Sequence, residues 1–121
     1  MTRCGLFAAL AFAGVCAIGS AFAQAYPPTA TPAAGSTGQA APHAVSIVFD
    51  DELEPKFSGI QVLNAKGARV DDGHAVVVPG NPRQMSVGLK ALAAGTYKVM
   101  WHATDTDTHR TKGSYSFIVK P

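Results

Sequence analysis

In the stretch Thr96-Tyr97-Lys98-Val99-Met100-Trp101-His102-Ala103, apolar and polar side chains take turns. Tyr97, Val99, Trp101 and Ala103 fall on one face, and Lys98, Met100 and His102 on the other. Alternation at period two marks a strand with one face buried and one wet, the antiparallel pattern. It places the single Trp in the core. Downstream, Gly113 to Val119 repeats the pattern, with Tyr115, Phe117 and Val119 inward. Upstream, Met85 to Leu89 alternates, and His74 to Val78 is a β-branched run stopped by Pro79-Gly80-Asn81-Pro82. Phe57 to Leu63 precedes a turn at Asn64-Ala65-Lys66-Gly67, and Asp71-Asp72-Gly73 signals another turn. Val45, Ile47 and Phe49 alternate with Ser46 and Val48. No internal repeat and no long amphipathic helix interrupts the series. About seven short strands with turn-punctuated spacing predict an all-β, immunoglobulin-like antiparallel β-sandwich over residues 43–121.

The N-terminal part reads differently. Arg3 is the sole charge in the first 49 residues, and an uncharged apolar run follows from Gly5 to Ile18. With Ala21-Phe22-Ala23 behind it, this is the layout of a secretory signal peptide over residues 1–23. The run is short for a bilayer span, and Val15 is a poor neighbour for lipid attachment at Cys16. Cleavage after Ala23 makes Gln24 the mature N-terminus; cleavage after Ala25 makes it Tyr26. Export to the periplasm, without stable membrane insertion, is the expectation. Residues 24–42, with Pro27, Pro28, Pro32, Pro42, Gly35 and Gly38, read as an extended leader.

Composition narrows the function classes. The formal charge of +2 on 121 residues provides no field for gripping nucleic acid. Cys4 and Cys16 both fall in the signal segment, so the mature chain has no thiol. That excludes a disulfide scaffold, thiolate zinc, iron–sulfur clusters, blue copper and a cysteine nucleophile. No nucleophile elbow and no Gly-rich phosphate loop is present, and an enzyme is not expected.

Metal binding by nitrogen and oxygen survives these exclusions. Between the last two strands lie Asp107 and His109, two residues apart. In an extended segment such residues point the same way. A carboxylate and an imidazole there form a chelating pair, or a histidine oriented by its acid. Such donors suit Cu(II), Zn(II) or Ni(II). Spacing alone leaves open a polar turn in which Asp107 caps backbone amides. His102, on the neighbouring strand, is within reach of a nearby metal or is a plain surface residue. His43 starts the first strand, either a solvated residue or a further ligand if the leader folds back, and His74 follows Asp71-Asp72-Gly73 in what reads as a plain turn. The acidic run Asp50-Asp51-Glu52-Leu53-Glu54 lacks the rhythm of a calcium loop. Arg110 and Lys112 flank His109 and are placed either to oppose a second cation or to dock an anionic partner.

Several stretches together resemble the CopC family of periplasmic copper-binding proteins. They are Pro32-Ala33-Ala34-Gly35-Ser36, Leu53-Glu54-Pro55-Lys56-Phe57-Ser58-Gly59, Gly95-Thr96-Tyr97-Lys98-Val99-Met100-Trp101, Asp107-Thr108-His109 and Gly113-Ser114-Tyr115-Ser116-Phe117. Their order and spacing match over nearly the whole mature chain. The resemblance implies an immunoglobulin-like fold and Cu(II) binding by an N-terminal histidine with its α-amine, plus the Asp and His of the Asp-Thr-His segment. Those two carry over onto Asp107 and His109; the terminal position falls at Gln24, which offers an amine and no imidazole. The Met-rich Cu(I) loop of some members has no counterpart, since residues 24–121 contain Met85 and Met100 alone. The implied function is copper resistance, buffering or delivery to an integral-membrane copper transport protein. The alternative is an interaction module that keeps the fold with a degenerate or weak metal site.

Overall fold

Apolar residues at alternate positions give the longer strands one apolar face, and burial of those faces against each other builds two stacked sheets. The structure, a computed structural model, describes residues 29–121. Residues 1–23, read above as a signal peptide, and Gln24 lie outside the described residues. The strands are β1 Thr29–Thr31, β2 Thr37–Gly38, β3 Ala44–Val48, β4 Gly59–Leu63, β5 Val76–Val77, β6 Gln84–Gly88, β7 Gly95–Thr104 and β8 Arg110–Val119. One sheet runs β1-β3-β6-β5 and the other β2-β8-β7-β4. The β7–β8 hairpin is the longest pairing, in register from Gly95 opposite Val119 to Thr104 opposite Arg110. A single 3-10 turn, Pro55–Phe57, leads into β4.

Alternation in the sequence becomes the core. Val45, Ile47, Val62, Met85, Val87, Val99 and Phe117 are fully buried. Tyr97 stacks on Phe117 with ring centroids 5.5 Å apart, tying β7 to β8. Trp101 meets Phe49 edge-on at 5.2 Å, tying the two sheets together. Lys98, Met100 and His102 face solvent, as their alternate positions require.

The β-sandwich is as the sequence predicts, with eight strands where about seven were expected. The run from His74 to Val78 contracts to Val76–Val77. Two strands lie inside the Pro/Gly-rich segment 24–42: β1 is antiparallel to β3, and β2 is parallel to β8. Each sits at a sheet edge, where a Pro or Gly neighbour is tolerated and the free edge of the adjoining strand supplies the pairing.

One buried polar group organises the loop beside β4. The Asp71 Oδ2 accepts the Val62 N–H at 2.8 Å, and Oδ1 accepts the Gly73 N–H at 2.9 Å. Arg69 forks onto both oxygens, with Nη2 to Oδ1 at 2.6 Å and Nε to Oδ2 at 3.2 Å. Burial pushes the carboxyl up. The Arg69 hydrogen bonds, the amides of Val62 and Gly73 and the guanidinium charge together outweigh it, and hold the group below its ordinary value. Asp71→Ala strands the buried Val62 N–H and is expected to cost about 2–3 kcal/mol in urea unfolding. Because the folded value is lowered, this contribution is complete above about pH 4 and fades as pH falls through the lowered value. The gap between wild type and variant should therefore narrow in acid.

Candidate metal centre

The chain leaves β7 at Thr104 and must reverse within five residues to enter β8 at Arg110. Asp105 makes that reversal. Its Oδ1 accepts the N–H of Asp107 and the N–H of His109, each at 2.9 Å. Its carbonyl accepts the Thr108 N–H at 2.9 Å, and its own N–H donates to the His109 carbonyl at 3.0 Å. An Asp side chain bonding the amide two residues on is an Asx turn. Thr108 takes a φ of 69°, a left-handed conformation that is strained for a β-branched residue. The turn is also stitched to the acidic segment before the 3-10 turn: the Thr106 N–H donates to the Glu52 carbonyl, and the Glu54 N–H to the Thr104 carbonyl.

The same acid orients the histidine. His109 Nδ1 lies 3.2 Å from Asp105 Oδ2. The Asp105 side chain is 12% exposed and the His109 ring 77%. The His109 amide, more than any other group, holds the Asp105 carboxyl below its usual range, with the imidazole and the Asp107 amide adding to it and burial opposing it. An ionised Asp105 accepts from Nδ1–H, and that tautomer leaves the Nε2 lone pair open to solvent. The carboxylate of Asp107 is exposed on the same turn. Asp105, Asp107 and His109 each offer a ligand atom within 4.8 Å of the others. Neighbouring donors on one divalent ion with bonds of about 2.0–2.2 Å sit roughly 3–3.5 Å apart, so the exposed Asp107 and His109 side chains must draw inward by about an ångström or more to share an ion. The set is nitrogen and oxygen without sulfur.

Two parts of the sequence reading need correction. The Asp107–His109 segment is a turn and not extended, so the pair meets through a left-handed Thr108 and not through strand alternation. The capping and ring-orienting role proposed for Asp107 belongs to Asp105. Asp105 had a legible signal, an Asp at a strand end, where its side chain can accept the amide two residues on in an Asx turn. His43 is exposed just ahead of Ala44, and the whole of β3 separates it from the end that carries the turn. His102 stands outside the cluster, with its ring against Gly59 on the outer face. His74 sits in a plain turn, its N–H donating to Asp72 Oδ1. Gln24 lies outside the described residues.

A family model described as the CopC domain matches residues 28–120. The chain belongs to the CopC family. Copper resistance protein C of Pseudomonas syringae pv. tomato is 38% identical over 109 residues, covering 84% of this chain and 86% of its own. Protein YobA of Escherichia coli is 35% identical over 102 residues, covering 84% and 82%. The crystal structure of CopC from Methylosinus trichosporium OB3b superposes with a TM-score of 0.69 at 29% identity, over 79% of this chain and 93% of that one. The CopC match begins just before β1, so the family domain takes in the two edge strands of the Pro/Gly-rich segment. Among the described residues, no helix is long and apolar enough to cross a membrane.

Proposed function

We propose that this CopC-family protein binds Cu(II) reversibly in the periplasm, for copper resistance, buffering or hand-off to an integral-membrane copper transport protein. Asp107 and His109 are the side-chain ligands, and the α-amine of Gln24 is a third. The observation that carries this reading is the His109 ring, held at Nδ1 by Asp105 in one cluster with the Asp107 carboxylate. The chemistry is coordination and release, with no covalent step. Neutral imidazole is the binding form, so protons compete with the metal.

The path of the chain supports a contribution from Gln24. Thr29 pairs with Val48 at the end of β3, and the chain runs on from there through Glu52 to the metal turn. Gln24 precedes Thr29 by five residues, a tether of at most about 18 Å. The missing imidazole at Gln24 favours one second reading, an interaction module of the same fold with weak metal affinity.

A Cu(II) titration of the mature protein decides between them, with the N-terminus first defined by mass spectrometry as free Gln24 or its cyclised form. One tight equivalent with nitrogen couplings in the spin-resonance spectrum is the expected result. Weak, sub-stoichiometric binding overturns the carrier reading in favour of the interaction module. Truncating Asp105 removes the ring's support and the turn's cap together while leaving both proposed side-chain ligands in place. Asp105→Ala is expected to lower copper affinity by roughly 10–100-fold, the usual loss for a residue that orients a ligand, measured against a competing chelator.

A further inference from the structure

The turn Pro55–Phe57 buries none of its residues, and Phe57 stands 60% exposed. This is not a frayed loop. The Phe57 carbonyl accepts from Thr104 Oγ1 at 3.2 Å, and Ser58 Oγ accepts the Thr104 N–H at 3.1 Å. A rigid aromatic ring is thus held out beside the start of β8. It lines a hollow of about 590 Å³ together with Lys56, His102, Arg110 and Lys112. No carboxylate lines that hollow, and neither ion pair among the described residues involves Lys56, Arg110 or Lys112. Gly59 seats the His102 ring: a Cβ there would lie 2.8 Å from Cε1 of His102, so a larger residue would displace it.

The charge is segregated. Without Arg3, the ten Lys and Arg become nine, against eight Asp and Glu, so residues 24–121 are almost neutral. Asp105 and Asp107 cluster on the turn, whereas the charged side chains that line the hollow with Phe57 are three unpaired cations, Lys56, Arg110 and Lys112. We propose that the hollow between the Pro55–Phe57 turn and the start of β8 docks an acidic peptide segment of a protein partner. Its carboxylates pair with Lys56, Arg110 and Lys112, and an apolar side chain packs on Phe57. An anionic bilayer fits less well, because the site is concave and offers Phe57 as its one exposed large apolar side chain.

The test uses metal-free, isotope-labelled protein, so its failure leaves the copper reading untouched. The probe is a blocked peptide of alternating glutamate and leucine, titrated at low salt and followed by amide chemical shifts. Shifts are expected at Lys56, Phe57 and Lys112 and not in the β1-β3-β6-β5 sheet. Affinity should fall at least about tenfold in the double variant Lys56→Glu/Lys112→Glu, and binding should weaken with added salt. Phe57→Ser should weaken it several-fold through loss of the apolar contact. The glutamine version of the peptide should not bind. These substitutions are on exposed side chains, where folding changes little. Binding that survives the charge reversal, or shifts spread over other faces, overturns the proposal. So does tighter binding to vesicles containing phosphatidylglycerol that the same double variant abolishes, which assigns the patch to a membrane.

Discussion

Phe117→Ala is expected to destabilise the fold by about 3–5 kcal/mol, the range for truncating a buried aromatic. Phe117 is 1% exposed and is the largest of the fully buried side chains. Its ring stacks on Tyr97 across the β7–β8 hairpin, directly opposite it in register. Truncation removes the apolar area, the ring pair and the filling between the sheets at once. Val45, Ile47, Val62 and Val99 are also fully buried, and stiff β-branched side chains rotate little to fill the gap. A domain of this size holds roughly 5–15 kcal/mol in total, so the urea midpoint should fall steeply. Phe117→Leu keeps most of the volume and should lose clearly less. Equal losses in the two variants would show that the site collapses freely and that the stack contributes little.

His109→Ala is expected to reduce Cu(II) affinity by more than about 100-fold, beyond the loss typical of a supporting residue. The fold should be unaffected. The ring is 77% exposed and packs against little besides Asp105. The turn itself is closed by backbone amides on Asp105 Oδ1, which the substitution leaves in place. The spin-resonance spectrum should lose the couplings of one imidazole nitrogen, and thermal unfolding should move by no more than about 0.5 kcal/mol. An unchanged copper isotherm with a native fold would move the function away from metal binding and toward the interaction module.

The parts of the fold legible from sequence are those where a side chain's own period matches its burial. Tyr97, Val99, Trp101 and Ala103 announce β7 unaided, and all four are buried. β1 and β2 were not legible as strands. Three and two residues long, among Pro and Gly, they have no period to read, and they are extended because β3 and β8 present open edges to them. Asp71 reads as a turn residue, and its second role, accepting the amide of Val62 nine positions earlier, depends on a loop packing that no local pattern records. At the candidate site the Asp-Thr-His motif drew attention to Asp107 and His109. The residue that shapes the turn and holds the ring is Asp105, just outside the motif. Its importance comes from a four-residue return of the chain, which alternation cannot foresee.

The direction of β8 gives the molecule a polarity along its long axis. Its ten residues begin at Arg110, beside the metal turn, and end at Val119, roughly 30 Å away at strand spacing. Pro121 therefore points away from the turn, whereas Thr29, paired to Val48, lies at the same end as the turn. Coupling the protein to a solid support or reporter through Pro121 leaves the metal turn facing outward and unobstructed. A tag joined ahead of Thr29 starts from the end of the sandwich that carries the turn, so its own amines and imidazoles are expected to compete for any metal offered.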